Sequence, residues 1–293
     1  MIGIGESFAL TSAFAWGVAV ILFRLSGQQL GPFSLNLFKN VLLLVLLVPT
    51  IVFAHGSHWP AIELEHWLIL LLSGAVGIGL ADTLFFRALN ALGPSRTAIG
   101  SMLLSPFVIL LSFVFLGERL SAWQWLGAAV TLAGVTLVNW RRAHPLEQVA
   151  DKRGLIALVA AMALMATGIV MAKPMLESDP FVWAVQIRVI GGVASMVLLM
   201  LVQGRLLAVT EEFRRARAWP RTVAASFMGT YVAMLLWLAG YKYADASIAA
   251  VLNETSAVFV LILAALFLKE RLRAHQWLGS IVAAAGVLIV VAN

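Results

Sequence analysis

Apolar stretches of about twenty residues follow one another along almost the whole chain, and this restricts the fold more than any motif does. A polypeptide that is 62% hydrophobic and only 12% charged, with mean hydropathy +0.97, has too little polar surface for water and belongs in lipid. A helix needs about 20 apolar residues to cross the roughly 30 Å hydrocarbon layer. Ten such stretches are read at about 5–25, 33–54, 66–90, 94–116, 122–140, 154–175, 181–203, 219–242, 245–268 and 274–291. The expectation is an all-α integral membrane protein of ten transmembrane helices, with short connectors and no soluble domain.

The first stretch has no basic region before it and no small-residue cleavage site after it, so it reads as a retained span rather than a signal peptide. Without cysteine, the chain forms no disulfide or thiolate site. Its formal charge of +6 would suggest nucleic acid in a soluble protein. Here the basic residues stand at span ends and set orientation instead. If ten spans alternate, fifteen of the twenty Lys and Arg share one side, Arg119, Lys173 and Lys242 face the other, and Lys39 and Arg188 fall within spans. That bias places the fifteen in the cytoplasm and both termini outside.

LGERLSAWQWLG at 116–127 returns as LKERLRAHQWLG at 268–279. A shift of 152 positions aligns Glu118 with Glu270, Trp125 with Trp277, Gly127 with Gly279 and Gly134 with Gly286, and upstream Ser95 with Ser247 and Phe107 with Phe259. The chain therefore divides into a first repeat, 1–143, and a second, 144–293. Five spans is an odd number, so the second copy inserts upside down, giving an inverted repeat suited to alternating access. Within the phrase, Ser121 and Gln124 are spaced as a capping box, Trp125 and Trp277 suit interfacial anchors, and the paired glycines permit close helix approach. Gly117 and Ser121 become Lys269 and Arg273 in the second copy, as expected of a turn that faces the cytoplasm.

Two five-span repeats, each closing on ERL…QWLG…G after a small-residue stretch (ALGPSRTAIGS, then ADASIAAVLN), resemble the EamA-type ten-helix branch of the drug/metabolite transporter superfamily. The resemblance implies a carrier of the bacterial inner membrane, usually an exporter of amino acids or related metabolites. It also implies a central cavity lined by the first, third and fourth helices of each half.

An ionisable residue inside a span costs roughly 2.5–3.5 kcal/mol and is a functional candidate by default. Glu254, in VLNETSAVF, lies about nine residues into the ninth span, near the midplane at about 1.5 Å per residue. Asn253, Thr255 and Ser256 flank it. Its counterpart in the first repeat is Met102, with Ser101 and Ser105 nearby. A carboxyl group in this medium can exchange a proton or bind a substrate amine, and competition between the two would couple their fluxes. Asp82 in the third span also has no acidic twin. It reads either as an ion pair with Arg87 or Lys39 or as part of the same chemistry. Lys39 and Arg188 either snorkel and pair with acids or receive a substrate carboxylate.

Aromatic and soft side chains at mid-span, Trp16, Phe85, Phe86, Tyr231, Trp237, Met162 and Met165, are cavity or packing candidates. Pro106 and the glycines at 74, 77 and 79 can bend or closely pack their spans. His55, His58 and Glu63 form at most a weak external metal pattern, and no cofactor is expected. The chain reads as a monomeric, proton-linked or exchange-type exporter of an amine-bearing metabolite, foremost an amino acid. The alternative is a carrier for cationic drugs or polyamine-like amines, with Asp82 and Glu254 as the cation site. No P-loop, filter-like loop or catalytic pattern supports an ATP-driven pump, channel or enzyme.

Overall fold

The computed structural model describes residues 3–25, 30–56, 60–92, 97, 100–139, 152–268 and 274–292. Those residues form helices and connecting turns, with no strand among them. Helices α1 (Ile4–Leu25) and α2 (Pro32–His55) are each predominantly apolar. Helix α3 runs Leu64–Gly74, widens into a π-helical turn at Ala75–Leu80 and continues as Ala81–Leu92. Then come α4 (Leu104–Phe115), α5 (Ala122–Asn139), α6 (Lys152–Ser178) and α7 (Phe181–Val202).

The second half continues with a short helix α8 (Leu206–Arg215) and with α9, which runs Trp219–Ser226, then a π-helical turn Phe227–Val232, then Ala233–Tyr243. Helix α10 comprises Ala246–Asn253 and Ser256–Leu268, joined by a turn at Glu254 and Thr255. Helix α11 (Ala274–Ala292) ends the fold. Eight helical segments are long and apolar enough to cross a membrane, and Leu104–Phe115 and Ala122–Val138 are shorter apolar helices. The outward-facing surface is apolar, with Phe53, Leu207 and Val202 among its most exposed side chains, as lipid requires.

Two distortions recur at the repeat interval of 152. The π-helical turns of α3 and α9 begin at Ala75 and Phe227 and carry glycine at equivalent places, Gly77 and Gly229. Gly77 lies against Gly168 of α6, and Gly229 against Ala19 of α1. A turn at Met102–Leu103 precedes α4, and the turn at Glu254–Thr255 interrupts α10. At each the backbone makes a tighter three-residue bond, Leu103 N to Gly100 O and Thr255 N to Leu252 O. Pro106 removes the donor that would have bonded the Met102 carbonyl. In α10 the same position is Val258, whose N–H bonds Thr255 O instead, so that break does not depend on proline.

The glycines of the doubled phrase pack α5 against α11 in antiparallel sense. A Cβ on Gly134 would stand 2.3 Å from Ala283 N, and one on Gly286 would stand 2.4 Å from Thr131 N. Removing the side chains at these positions lets two backbones touch. The capping box also forms: Gln124 N donates to Ser121 Oγ at 3.1 Å, and Ser121 N to Gln124 Oε1 at 2.8 Å. The second copy's turn, with Lys269, Glu270, Arg271 and Arg273, lies outside the described residues.

Helix α8 departs from the sequence expectation, which left 204–218 as a connector. Its ten residues mix charged and apolar side chains, so a search for span-length hydrophobic runs passes over it. It rests against the bundle through buried Val209 and through Phe213, which meets Phe38 and Trp219. Glu212 on its last turn accepts a hydrogen bond of 2.9 Å from Gly31 N at the start of α2.

Candidate substrate and proton site

The break in α10 leaves the Ala250 carbonyl without its intrahelical donor, because Glu254 N bonds Val251 O instead. Asn253 Nδ2 donates to Ala249 O at 2.8 Å and Thr255 Oγ1 to Leu252 O at 2.6 Å. Asn253, read from sequence as a ligand candidate, and Thr255 beside it are thus at least partly occupied by carbonyls of their own helix. Glu254 projects from the break toward α4. Ser105 Oγ lies 2.8 Å from Glu254 Oε1 and 3.2 Å from Ala250 O. One hydroxyl proton serves one of them at a time. With Glu254 ionised, Ser105 donates to the carboxylate; with Glu254 protonated, the acid can donate to Ser105 while the hydroxyl turns to the carbonyl. Both charge states are satisfied by one rotation.

Asp82 and Arg188 form a second polar group. Asp82 begins the last segment of α3, beyond its π-helical turn. It lies in the fields of Lys39 and Arg188, with the Asn36 side chain as a hydrogen-bonding neighbour. Arg87, an expected partner, is exposed instead. Arg188 does not snorkel: it is 1% exposed, packed where α3 and α7 meet. Glycines make that meeting possible, since a Cβ on Gly74 would overlap Arg188 O and one on Gly77 would come within 3.2 Å of Arg188 Nη2. Lys39 Nζ stands 6.0 Å from the Trp16 ring centre, within reach of a cation–π contact.

Tyr241, which the sequence reading passed over, joins the two groups. It is fully buried, its ring is T-shaped to Trp237 at 5.3 Å, and it feels both Glu254 and Arg188. Only the packing of α9 against α6 and α10 turns it inward.

The remaining candidates separate. Met165 and Trp237 pack on the core around Tyr241 and α10. Tyr231 stacks on Phe227, and its hydroxyl is 2.5 Å from Thr50 Oγ1, on the α2 side of the bundle. Met162 and Phe85 belong to a cluster between α3 and α6. Ser101 is half-buried on the turn before α4, and Trp16 is 38% exposed. The Phe86 side chain, His58 and the His55 side chain lie outside the described residues. No group of three or more His, Asp or Glu able to hold a metal ion occurs among the described residues.

One end of the bundle is tied by ionic contacts that the sequence did not reveal. Lys173 Nζ, on α6, reaches Glu177 Oε1 at 2.6 Å and the α9 carbonyls Tyr241 O and Ala244 O, both at 2.8 Å. Lys242, on α9, returns the contact to Leu176 O of α6 at 2.5 Å. His66 Nδ1 meets Asp179 Oδ2 at 2.9 Å. Glu118 accepts from Ala246 N, Ser247 N and Ser247 Oγ at 2.8, 3.0 and 2.8 Å, capping α10. Gly117, at φ +70°, is the left-handed turn that brings Glu118 there. Recurrence of the acid in both copies of the phrase was the available signal for it.

Apolar membrane-length helices, broken where polar side chains are buried between them, define a multi-pass membrane protein of the transporter class. The sequence profile of the EamA-like transporter family matches residues 3–140 and again 152–292, and the chain belongs to that family, consistent with the drug/metabolite transporter superfamily. An uncharacterized transporter of Archaeoglobus fulgidus is 23% identical over 284 residues, covering 96% of both chains. An uncharacterized transporter in the cobO 3′ region of a Sinorhizobium species is 30% identical over 135 residues, 45% of this chain and 94% of that protein. A solved crystal structure superposes with a TM-score of 0.77 at 17% identity, covering 98% of this chain and 96% of the other, and shares its fold.

Proposed function

We propose that the protein is a proton-linked or exchange-type exporter of small amine-bearing metabolites, foremost amino acids. It works by alternating access between two inverted five-span halves. The observation that carries this is Glu254, a carboxyl group at a helix break inside the membrane, bonded to Ser105 across the interface of the two halves. A proton and a substrate ammonium compete for that group, so release of one accompanies capture of the other. No phosphate or cofactor chemistry is needed.

Support for an inverted plan comes from the π-helical turns and helix breaks that recur at 152 residues, from antiparallel α5–α11 packing, and from a relative matched over nearly its full length by less than half of this chain. One chain supplies both halves, so a monomer suffices. The basic connector side carries Arg205, Arg214 and Arg215, which favours the cytoplasm there, both termini outside and a bacterial inner-membrane setting.

Flux in proteoliposomes, with and without an imposed pH gradient, across amino acids and organic cations tests the reading. Amino-acid movement that follows the gradient supports it. Movement of permanent cations alone favours the cationic-drug carrier, and no movement of either class rejects both.

A further inference from the structure

A guanidinium stays charged at any pH the cell meets and carries five donors. Burying it in a membrane without acceptors is costly. Arg188 is 1% exposed, yet its Nε and Nη1 atoms have no hydrogen-bond partner, and no carboxylate lies within ion-pair distance among the described residues. Asp82 acts on it only through space. The Tyr241 hydroxyl, fully buried, is also without a partner; the Trp237 indole approaches it outside hydrogen-bonding geometry. Arg188 and Tyr241 interact electrostatically, and Tyr241 also lies in the field of Glu254.

Two groups with unmatched donors, one charged and one neutral, call for an anion offering at least two acceptor oxygens. Glycine at 77, in the π-helical turn of α3, keeps bulk away from the guanidinium. We propose that Arg188, with the Tyr241 hydroxyl as second donor, receives the carboxylate of the transported substrate. This deepens the transport reading above and rests on it: with Glu254 taking the ammonium, the site accommodates a zwitterion and favours it over the corresponding amine.

The test is counterflow in proteoliposomes with the twenty common L-amino acids and the amines left when their carboxyl groups are removed, for wild type, Arg188→Gln, Arg188→Lys and Tyr241→Phe. Wild type is expected to prefer amino acids. Arg188→Gln should lose amino-acid flux at least about tenfold relative to the matching amine. Arg188→Lys should recover part of it, and Tyr241→Phe should raise KM for amino acids about three- to tenfold more than it does for the matching amines. Equal loss of both classes in Arg188→Gln and Tyr241→Phe would mark these residues as structural and overturn the proposal. If wild type moves amines alone, transport stands and the carboxylate site falls; if it moves neither, the transport reading itself fails. Should Arg188→Gln not assemble, Tyr241→Phe, which removes a single oxygen, decides.

Discussion

Ser105 holds one proton between two acceptors, and that makes it the most informative residue beside Glu254. Ser105→Ala deletes the group that serves both charge states of the acid. It is expected to cut gradient-driven flux about three- to tenfold, whereas Ser105→Thr, which keeps the hydroxyl, should retain most of it; initial rates in proteoliposomes check both. Glu254 stood out in the sequence as an acid amid apolar residues, and Ser105 as a hydroxyl close to its repeat counterpart, Met102. Arg188 was legible for the same reason. Tyr241 was not, because tyrosine near a span end normally anchors at the interface. Lys173 likewise looked like an ordinary flanking charge, and only the fold shows its amine buried against carbonyls of another helix.

Helix ends hold several of the polar contacts. Glu118 replaces the missing intrahelical partners of α10, so Glu118→Ala should lower stability by about 1–3 kcal/mol, read as a lower midpoint of thermal unfolding in detergent. Asp245 precedes the same helix. Burial first, then the adjacent Glu118, pushes its carboxyl above the ordinary carboxylate range, with Glu177 and Glu6 adding to this and Lys173 opposing it. A raised folded-state value means the folded protein takes up a proton before the unfolded chain does. Stability contributed here therefore rises as pH falls through that raised value toward the ordinary one of 3.8. Asp245→Asn should raise the unfolding midpoint at neutral pH and flatten its rise on acidification. Between α5 and α11 the limit is steric: Gly134→Ala forces a methyl against Ala283 backbone and should cost about 1–3 kcal/mol. The glycine spacing announced that contact in the sequence. The breaks in α4 and α10 were not announced, since apolar content is continuous through them and only Pro106 hints at one.

At the scale of the whole molecule, hydropathy and the doubled phrase made the all-helical membrane architecture legible, while α8 escaped because it is short and amphipathic. Orientation rests on the arginines. The chain has no cysteine, so single cysteines report sidedness directly. In intact cells an impermeant maleimide should label Ser178→Cys and spare Glu211→Cys; the reverse pattern would invert the topology. The central claim is that Glu254 links substrate movement to protons. The direct test compares wild type with Glu254→Gln in proteoliposomes, measuring substrate accumulation under an imposed pH gradient beside exchange at equal pH. Wild type should accumulate substrate against its concentration gradient, and Glu254→Gln should lose that accumulation. Accumulation by Glu254→Gln equal to wild type would contradict the account.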